Sequence, residues 1–430
     1  MVVNASDGQI SQTDFYFTRS NYQDTGGPWS SVADGKGGWF VGGAFSIRQG
    51  NVTRRYLAHI LPDGNLDPAW DPKPSGLVTQ LTISGDTLYV VGQFNAVGNQ
   101  ARRYLAAVGV QSGQVLPWYC TVNDEVFRLT VAKGLVYVCG RFNYVNGQQR
   151  NGLVALDRST GAVTDWNPGV EGSVFAIVAS GDSVLIGGRF FRVGGQNKNH
   201  LAALDATTGR LRNWNPVVNE QVGTITLSEP AIYVTGGFTT VNQAPRAGLA
   251  SFERATGNLT AWNLTPNGSV NEIKASGGKV YVGGSFNFIA GQRRNFLAQF
   301  EESSGQLSGW NPSASSSVST VTPSAAGVFA GGNFKSMNCV NRDGLAALDA
   351  TTGRATAWNP APSDSGFSPV RSIRALEVAN NQLYVGGFFS SVGGQARNNL
   401  AAFDLATGRA TSWNPGAGEP VNLLKVHGNR

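Results

Sequence analysis

A tryptophan returns at Trp70, Trp118, Trp166, Trp214, Trp262, Trp310, Trp358 and Trp413, six times at a spacing of 48 residues and once at 55. A phenylalanine keeps the same period at Phe45, Phe94, Phe142, Phe190, Phe238, Phe286, Phe334 and Phe389, with intervals of 49, five of 48, and 55. Two rulers of one period mean that one supersecondary unit is repeated eight times. The seven extra residues of the last unit fall between Trp358 and Phe389, around "APSDSGFSPV" and "EVANNQ".

The fourth unit shows what is repeated. "SVFAIVAS" reads as strand a, "SVLIGGRF" as strand b, "NHLAALD" as strand c, and "GRLRNWNP" as strand d after the turn "ATTG". Short strands at this spacing, divided by Gly, Asp and Asn turns, indicate a sandwich, barrel or propeller. Four strands per unit of 48 residues, eight times over, select the propeller. The expected fold is all-β, a single eight-bladed β-propeller of four-stranded blades over residues 28–430. Residues 1–27 form an N-terminal segment that could contribute a closing strand. Strand a of the first unit lies near "PWSSVADG", yet "EPVNLLKVHGNR" matches a ninth strand a, so residues 420–428 are candidates for closing the ring.

Composition agrees with a turn-rich globular chain. Glycine numbers 56, hydrophobic residues make up 41%, and charged residues only 14%. The Gly two places before each Phe, from Gly43 to Gly387, marks a bulge or a close backbone approach. The Phe is then an apolar plug between blades. Strand c opens on Leu57, Leu105, Leu153, Leu201, Leu249, Leu297, Leu345 and Leu400, followed by Ala or Val, as suits a strand covered on both faces.

At "ALDATTGRLRNW" (203–214) and "ALDATTGRATAW" (347–358) the chain resembles the tryptophan-docking repeats of quinoprotein-like eight-bladed propellers. With "YVGG-F", "GQARNNLAAFD" and "LPDGNLDPAWDP" it more closely resembles the delta-sixty repeat of bacterial surface proteins. The resemblance runs from about residue 28 to 430 and implies a propeller, usually exported, often one module of a larger surface protein. It implies no chemistry.

The residues point the same way. A quinoprotein dehydrogenase would need hard oxygen ligands for Ca²⁺, and neighbouring cysteines usually accompany its cofactor. Cys120, Cys139 and Cys339 are isolated and fit no zinc spacing. The carboxylates Asp157, Asp205, Glu253, Glu301, Asp349 and Asp404 precede TG or SG turns, where capping the turn is a sufficient role. His59, His200 and His427 stand at three different repeat positions and read as incidental. The expectation is a non-catalytic binding, adhesion or scaffold propeller without metal or cofactor, with a glycan or protein ligand. The alternative is a propeller enzyme, a quinoprotein-like dehydrogenase or a carbohydrate-active enzyme, lacking a recognisable motif. Net charge is +6, but no dense Lys/Arg run appears, so nucleic acid is not expected. No apolar run is long enough to span a membrane. Low charge and abundant Gly, Asn, Ser and Thr suggest a secreted or cell-surface protein, a monomeric module of something larger. The start "MVVNASDGQI" lacks the basic and apolar regions of a signal peptide, so an exported chain would carry its signal upstream.

Two residue series are candidate sites. Three places before each strand-c Leu stands a cation: Arg54, Arg102, Arg150, Lys198, Arg246, Arg294, Arg342 and Arg397. They are either an anion-binding ring or guanidinium ties between loop and carbonyls. Strand a, nearest the axis in propellers, carries paired apolar residues such as Val270 and Ile273, or Val370 and Ile373. The residue after the second points the other way, and there the chain has Thr82, Thr130, Val178, Thr226, Lys274, Thr322, Arg374 and Lys425. This predicts a hydroxyl-lined channel with a basic sector of Lys274, Arg374 and Lys425, Arg371 near its mouth and Thr226 and Thr322 among the hydroxyls. Its ligand would be an acidic or sulfated glycan or an acidic protein loop, or the channel simply holds water.

Overall fold

The computed structural model describes residues 16–18, 27–63, 65–214, 216–227, 231–363, 372–417, 420–422, 424 and 426, and every regular element among them is a strand. The chain forms two compact units. Thr13–Thr260 holds the first five repeats up to the fifth Trp, and Ala261–Arg430 holds that Trp with repeats six to eight. Within each unit the repeats share one plan, to which the first repeat adds a strand, Tyr16–Thr18, paired with Ser46–Arg48. Repeat three is typical: strand a (Val126–Ala132), strand b (Leu135–Gly140) and strand c (Leu153–Asp157) form an antiparallel meander. The expected fourth strand is reduced to one bridge, Leu156 to Val163 here and Leu348 to Ala355 in repeat seven. The turn after strand c and the Trp-Asn-Pro exit leave too few residues between them for a longer ladder.

Every strand a has a register shift at the same place, as between Val126 and Arg128 or Val318 and Thr320, and that of repeat four has a second between Glu171 and Gly172. The shared bulge explains the constant glycine of strand b. A Cβ on Gly140 would sit 2.1 Å from the Glu125 carbonyl oxygen, and one on Gly332 would sit 2.3 Å from that of Ser317. The preceding glycine answers to the next repeat: a Cβ on Gly187 would lie 2.5 Å from Val222 Cγ1, and on Gly283 2.9 Å from Val318 Cγ1.

The bulges also correct the alignment of the last repeat. Ile373 faces Gly387 as Val318 faces Gly332, and Leu376 matches Val321. All of the insertion therefore precedes strand a, and "EVANNQ" belongs to an ordinary a–b hairpin. Arg374 is the bulge residue, and the partner of Lys274 in the series is Glu377.

The core lies between consecutive repeats. Tyr89, Leu105 and Trp118 of repeat two share one cluster with Val126, Leu129, Val138 and Phe142 of repeat three. Tyr281, Leu297 and Trp310 pack likewise with Val318, Val321 and Phe334. Tryptophan is the clasp. The Trp118 indole N–H donates to the Asp157 carbonyl of the next repeat (3.0 Å), Trp166 to Asp205 (3.0 Å) and Trp310 to Asp349 (3.0 Å). The Trp166 and Trp310 rings sit over the glycine of the following c–d turn, Gly209 and Gly353, and Tyr89, Tyr137 and Tyr281 meet Trp118, Trp166 and Trp310 edge to face. The Tyr137 hydroxyl donates to Ala206 O at 2.6 Å, and burial, with Asp205 nearby, pushes that phenol up to about 12.

Sequence inspection missed two devices. A two-residue hairpin interrupts the b–c loop, as at Tyr144–Val145 with Gln148–Gln149, turning on Asn146 and Gly147 at positive φ. The residue before strand c is left-handed in every repeat: Gly152, Gly248 and Gly344 in three, but Tyr56, Tyr104, His200, Phe296 and Asn399 in the others. Its N–H reaches the Phe carbonyl and its carbonyl accepts from the bulge-facing Gly, as Gly152 does with Phe142 and Gly140.

His59 is not incidental. It stacks on Phe40 (4.3 Å), with Nδ1 2.9 Å from Asp67 Oδ2 and Nε2 3.2 Å from Asp34 Oδ2. Burial alone would raise the Asp34 carboxyl, but the Lys36 and Gly38 amides and His59 outweigh it and hold it below its usual range. His427 lies outside the described residues. Cys120 and Cys139 are buried thiols pushed up to about 12 by burial, whereas Cys339 is exposed on a hairpin turn.

Two outcomes follow. Gly257→Ala should destabilise the protein by about 2 kcal/mol or more in urea unfolding, because its Cβ would lie 2.4 Å from Trp214 Cδ1 at φ +73°. Gly147→Ala, at φ +74° with no atom within 4 Å, should cost only the backbone term of about 1 kcal/mol. A depressed carboxylate stabilises above its unfolded value of about 3.9 and loses that contribution as pH falls through the lower folded one. Asp34→Asn should therefore flatten the acid limb of a stability–pH curve below about pH 4 and lower stability at neutral pH.

Candidate functional site

The cation series is used within each repeat. Nη2 of each arginine donates to the carbonyl 14 residues on, two places before the Trp: Arg102 to Leu116 (3.3 Å), Arg150 to Thr164 (2.9 Å), Arg246 to Thr260 (2.8 Å), Arg294 to Ser308 (2.8 Å) and Arg397 to Thr411 (2.7 Å). Arg342 reaches Thr356 in the same way, and Arg54 reaches Pro68 (3.0 Å) and Asp67 (2.8 Å). Most are buried. Burial lowers the pKa of Arg246, Arg294 and Arg397. Lys198 is the exception. A lysine has no fork to span this seat. The Arg212 carbonyl it would serve accepts from the Trp214 N–H instead (2.8 Å), and burial lowers the ammonium's pKa.

The strand-c aspartates cap their turns, whereas Glu301 pairs with Lys279 across the ladder. Asp157 accepts from the Ser159 and Thr160 amides (3.0 and 2.8 Å) and the Thr160 hydroxyl (2.8 Å). The Thr160 hydroxyl and amide hold Asp157 below its usual range, as the Thr208 amide and hydroxyl do for Asp205.

Of the strand-a series, Lys274 is half-buried with Nζ 3.5 Å from Glu272 Oε1, while Glu272 Oε2 accepts from the Val321 amide (2.7 Å). Thr322 is buried and donates to Leu376 O (3.1 Å). Arg374 is exposed and donates to Asn422 Oδ1 (2.8 Å). Thr226, in the other compact unit, is exposed. Arg371 and Lys425 lie outside the described residues. Carboxylates thus interleave with the cations of the expected basic sector: Glu272 beside Lys274, and Glu377 in the register position given to Arg374.

What varies most is the bulge residue itself. In repeats three and four it is Phe127 and Phe175, half-buried, with ring centroids 6.0 Å apart. The guanidinium of Arg141, between the strand-b Gly and Phe, lies 5.8 Å from the Phe127 ring. Arg141 is 64% exposed, 3.8 Å from Glu125, whose other oxygen accepts from Gln93 Nε2 (2.7 Å). Arg141 also lines a cleft of about 330 Å³ with Asn143 and Asn151 on one side and Glu171, Gly172 and Ser173 of repeat four on the other. Arg189, one repeat on from Arg141, faces Ser173 across the ladder and is exposed. Sequence inspection passed over these residues because it read the positions that recur. The signal was there as the unlike residue after the first strand-a Val.

A family model described as outer membrane protein assembly factor BamB matches residues 101–359, and a β-propeller model of a domain of unknown function matches residues 33–69. No curated protein matches the chain. Among solved structures, the computationally designed Ika8 protein is similar with a TM-score of 0.44 and 14% identity, over 84% of this chain and 93% of that one. BamB from Moraxella catarrhalis is similar with a TM-score of 0.44 and 15% identity, over 86% of this chain and 97% of its own.

Arg246→Gln and Arg294→Gln should each lower stability by about 1–3 kcal/mol, since each leaves a buried carbonyl short of its donor. Lys198→Arg should raise it by about 1 kcal/mol by supplying the missing fork. Thermal melts of the single variants check both signs.

Proposed function

The chain belongs to the β-propeller family of the outer membrane protein assembly factor BamB, and on that premise we propose that it is a non-catalytic scaffold that binds another protein. The observation that carries this reading is the cluster of Phe127, Phe175 and Arg141, the last of which also lines the cleft. Aromatic residues and arginine are the residue types that dominate protein–protein hot spots. A non-catalytic role is supported by the use of the recurring carboxylates as turn caps and the recurring guanidiniums as loop ties. The family name speaks of an outer membrane. We read this chain, low in charge, as working outside the cytoplasm, on or near a cell surface. We also read its eight repeats as blades of one ring over residues 28–430, in a monomeric module of a larger protein; of the candidate closing stretch 420–428, residues 423, 425, 427 and 428 lie outside the described residues. The finer likeness to the delta-sixty repeat rests on "YVGG-F" and "LPDGNLDPAWDP".

The test is photo-crosslinking in the producing cell, with p-benzoylphenylalanine substituted at Phe175 and, as control, at Asp182 in the turn at the far end of the same hairpin. A discrete protein adduct from position 175 alone is expected. Equal adducts from both positions, or none, count against the reading. Heparin binding by the wild type that Arg141→Gln abolishes at matched salt would make the ligand an anionic glycan instead.

A further inference from the structure

Resting on the protein-binding reading above, we infer that the surface over Phe127 and Phe175 takes an acidic, extended segment of the partner. Its carboxylates meet Arg141 and Arg189, and its apolar side chains lie on the two rings. Charge complementarity is the first argument. Arg189 has no carboxylate within 4.0 Å among the described residues, and Arg141 has only Glu125 at 3.8 Å, itself shared with Gln93. Glu171, the other acid at the cleft, stands 3.5 Å from Arg192. An incoming carboxylate would gain a forked, charge-assisted hydrogen bond that the free surface leaves unmade.

The shape of the cleft is the second argument. One wall is nearly bare backbone: a Cβ on Gly152 would be 3.1 Å from the Gly140 carbonyl and 3.5 Å from that of Gly172. About 330 Å³ is too little for a helix some 10–12 Å across, but it admits a few residues of extended chain. The amides of Asn143 and Asn151 and the Ser173 hydroxyl stand along it to meet peptide groups. The pairing is also not a scaffold requirement. In repeats six and seven the same two positions hold Asn271 with Ser285 and Ser319 with Asn333.

Selection of a random-peptide phage library on the purified chain tests this, with clones re-assayed on variants of matched melting temperature. Clones enriched in Asp and Glu beside aromatic residues are expected. Their affinity should fall about tenfold or more on an Arg141→Gln, Arg189→Gln double variant and steeply with added salt. An Arg141→Lys, Arg189→Lys variant, which keeps the charge, should retain the salt dependence. Clones that lose binding with Phe127→Ser yet show no acidic excess overturn the acidic-segment inference and leave the protein-binding surface standing. Failure to select any clone, or clones indifferent to all these substitutions, overturns both.

Discussion

Within each compact unit the structure depends on an indole of one repeat resting on the glycine turn of the next. No repeat could bury its own apolar face: three strands and a bridge are a thin sheet, and the core clusters always draw on two neighbours. The Trp ring covers that shared face, its N–H satisfies a carbonyl at the end of the next strand c, and the glycine leaves room for it. With Trp214 the fit is close enough that a single methyl on Gly257 would collide with the ring. The 48-residue period is the distance between successive clasps.

Much of this was legible because the clasp requires particular residues. Trp166, Gly209 and Asp205 are fixed by one another, so they recur at fixed spacing and announce a propeller repeat. Features of backbone alone left a fainter trace. The strand-a bulge is invisible as a residue type, and the insertion before Ser372 could not be located without it. Counting from the wrong valine placed Arg374 in a series where Glu377 belongs, and a basic sector became one of interleaved charges. The segment "GRLRNWNP" reads as a full fourth strand after its turn, but a bridge at one residue pair, Leu204 to Leu211, satisfies the fold.

The repeat divides its polar chemistry into two kinds. Residues present in nearly every unit, the arginine of the b–c loop and the carboxylate of strand c, spend their hydrogen bonds at home and hold turns in place. Residues that differ between units sit at the bulge and between the strand-b Gly and Phe, where the scaffold asks only for a side chain that can face solvent. Recognition is free to change there without disturbing the clasp. Composition gave no hint of this, since the same arginines count equally in a net charge.

Repeat four combines two local deficits. Its left-handed residue before strand c is His200, where three other repeats use glycine, and its loop cation is Lys198, which cannot tie the loop down. Because each repeat leans only on its neighbours, such deficits stay where they arise. Repeat four also supplies one wall of the cleft, through Glu171, Gly172 and Ser173. The same repeat carries Phe175, so the aromatic pair joins the repeat with the weaker loop tie to repeat three, where Arg150 makes the full tie.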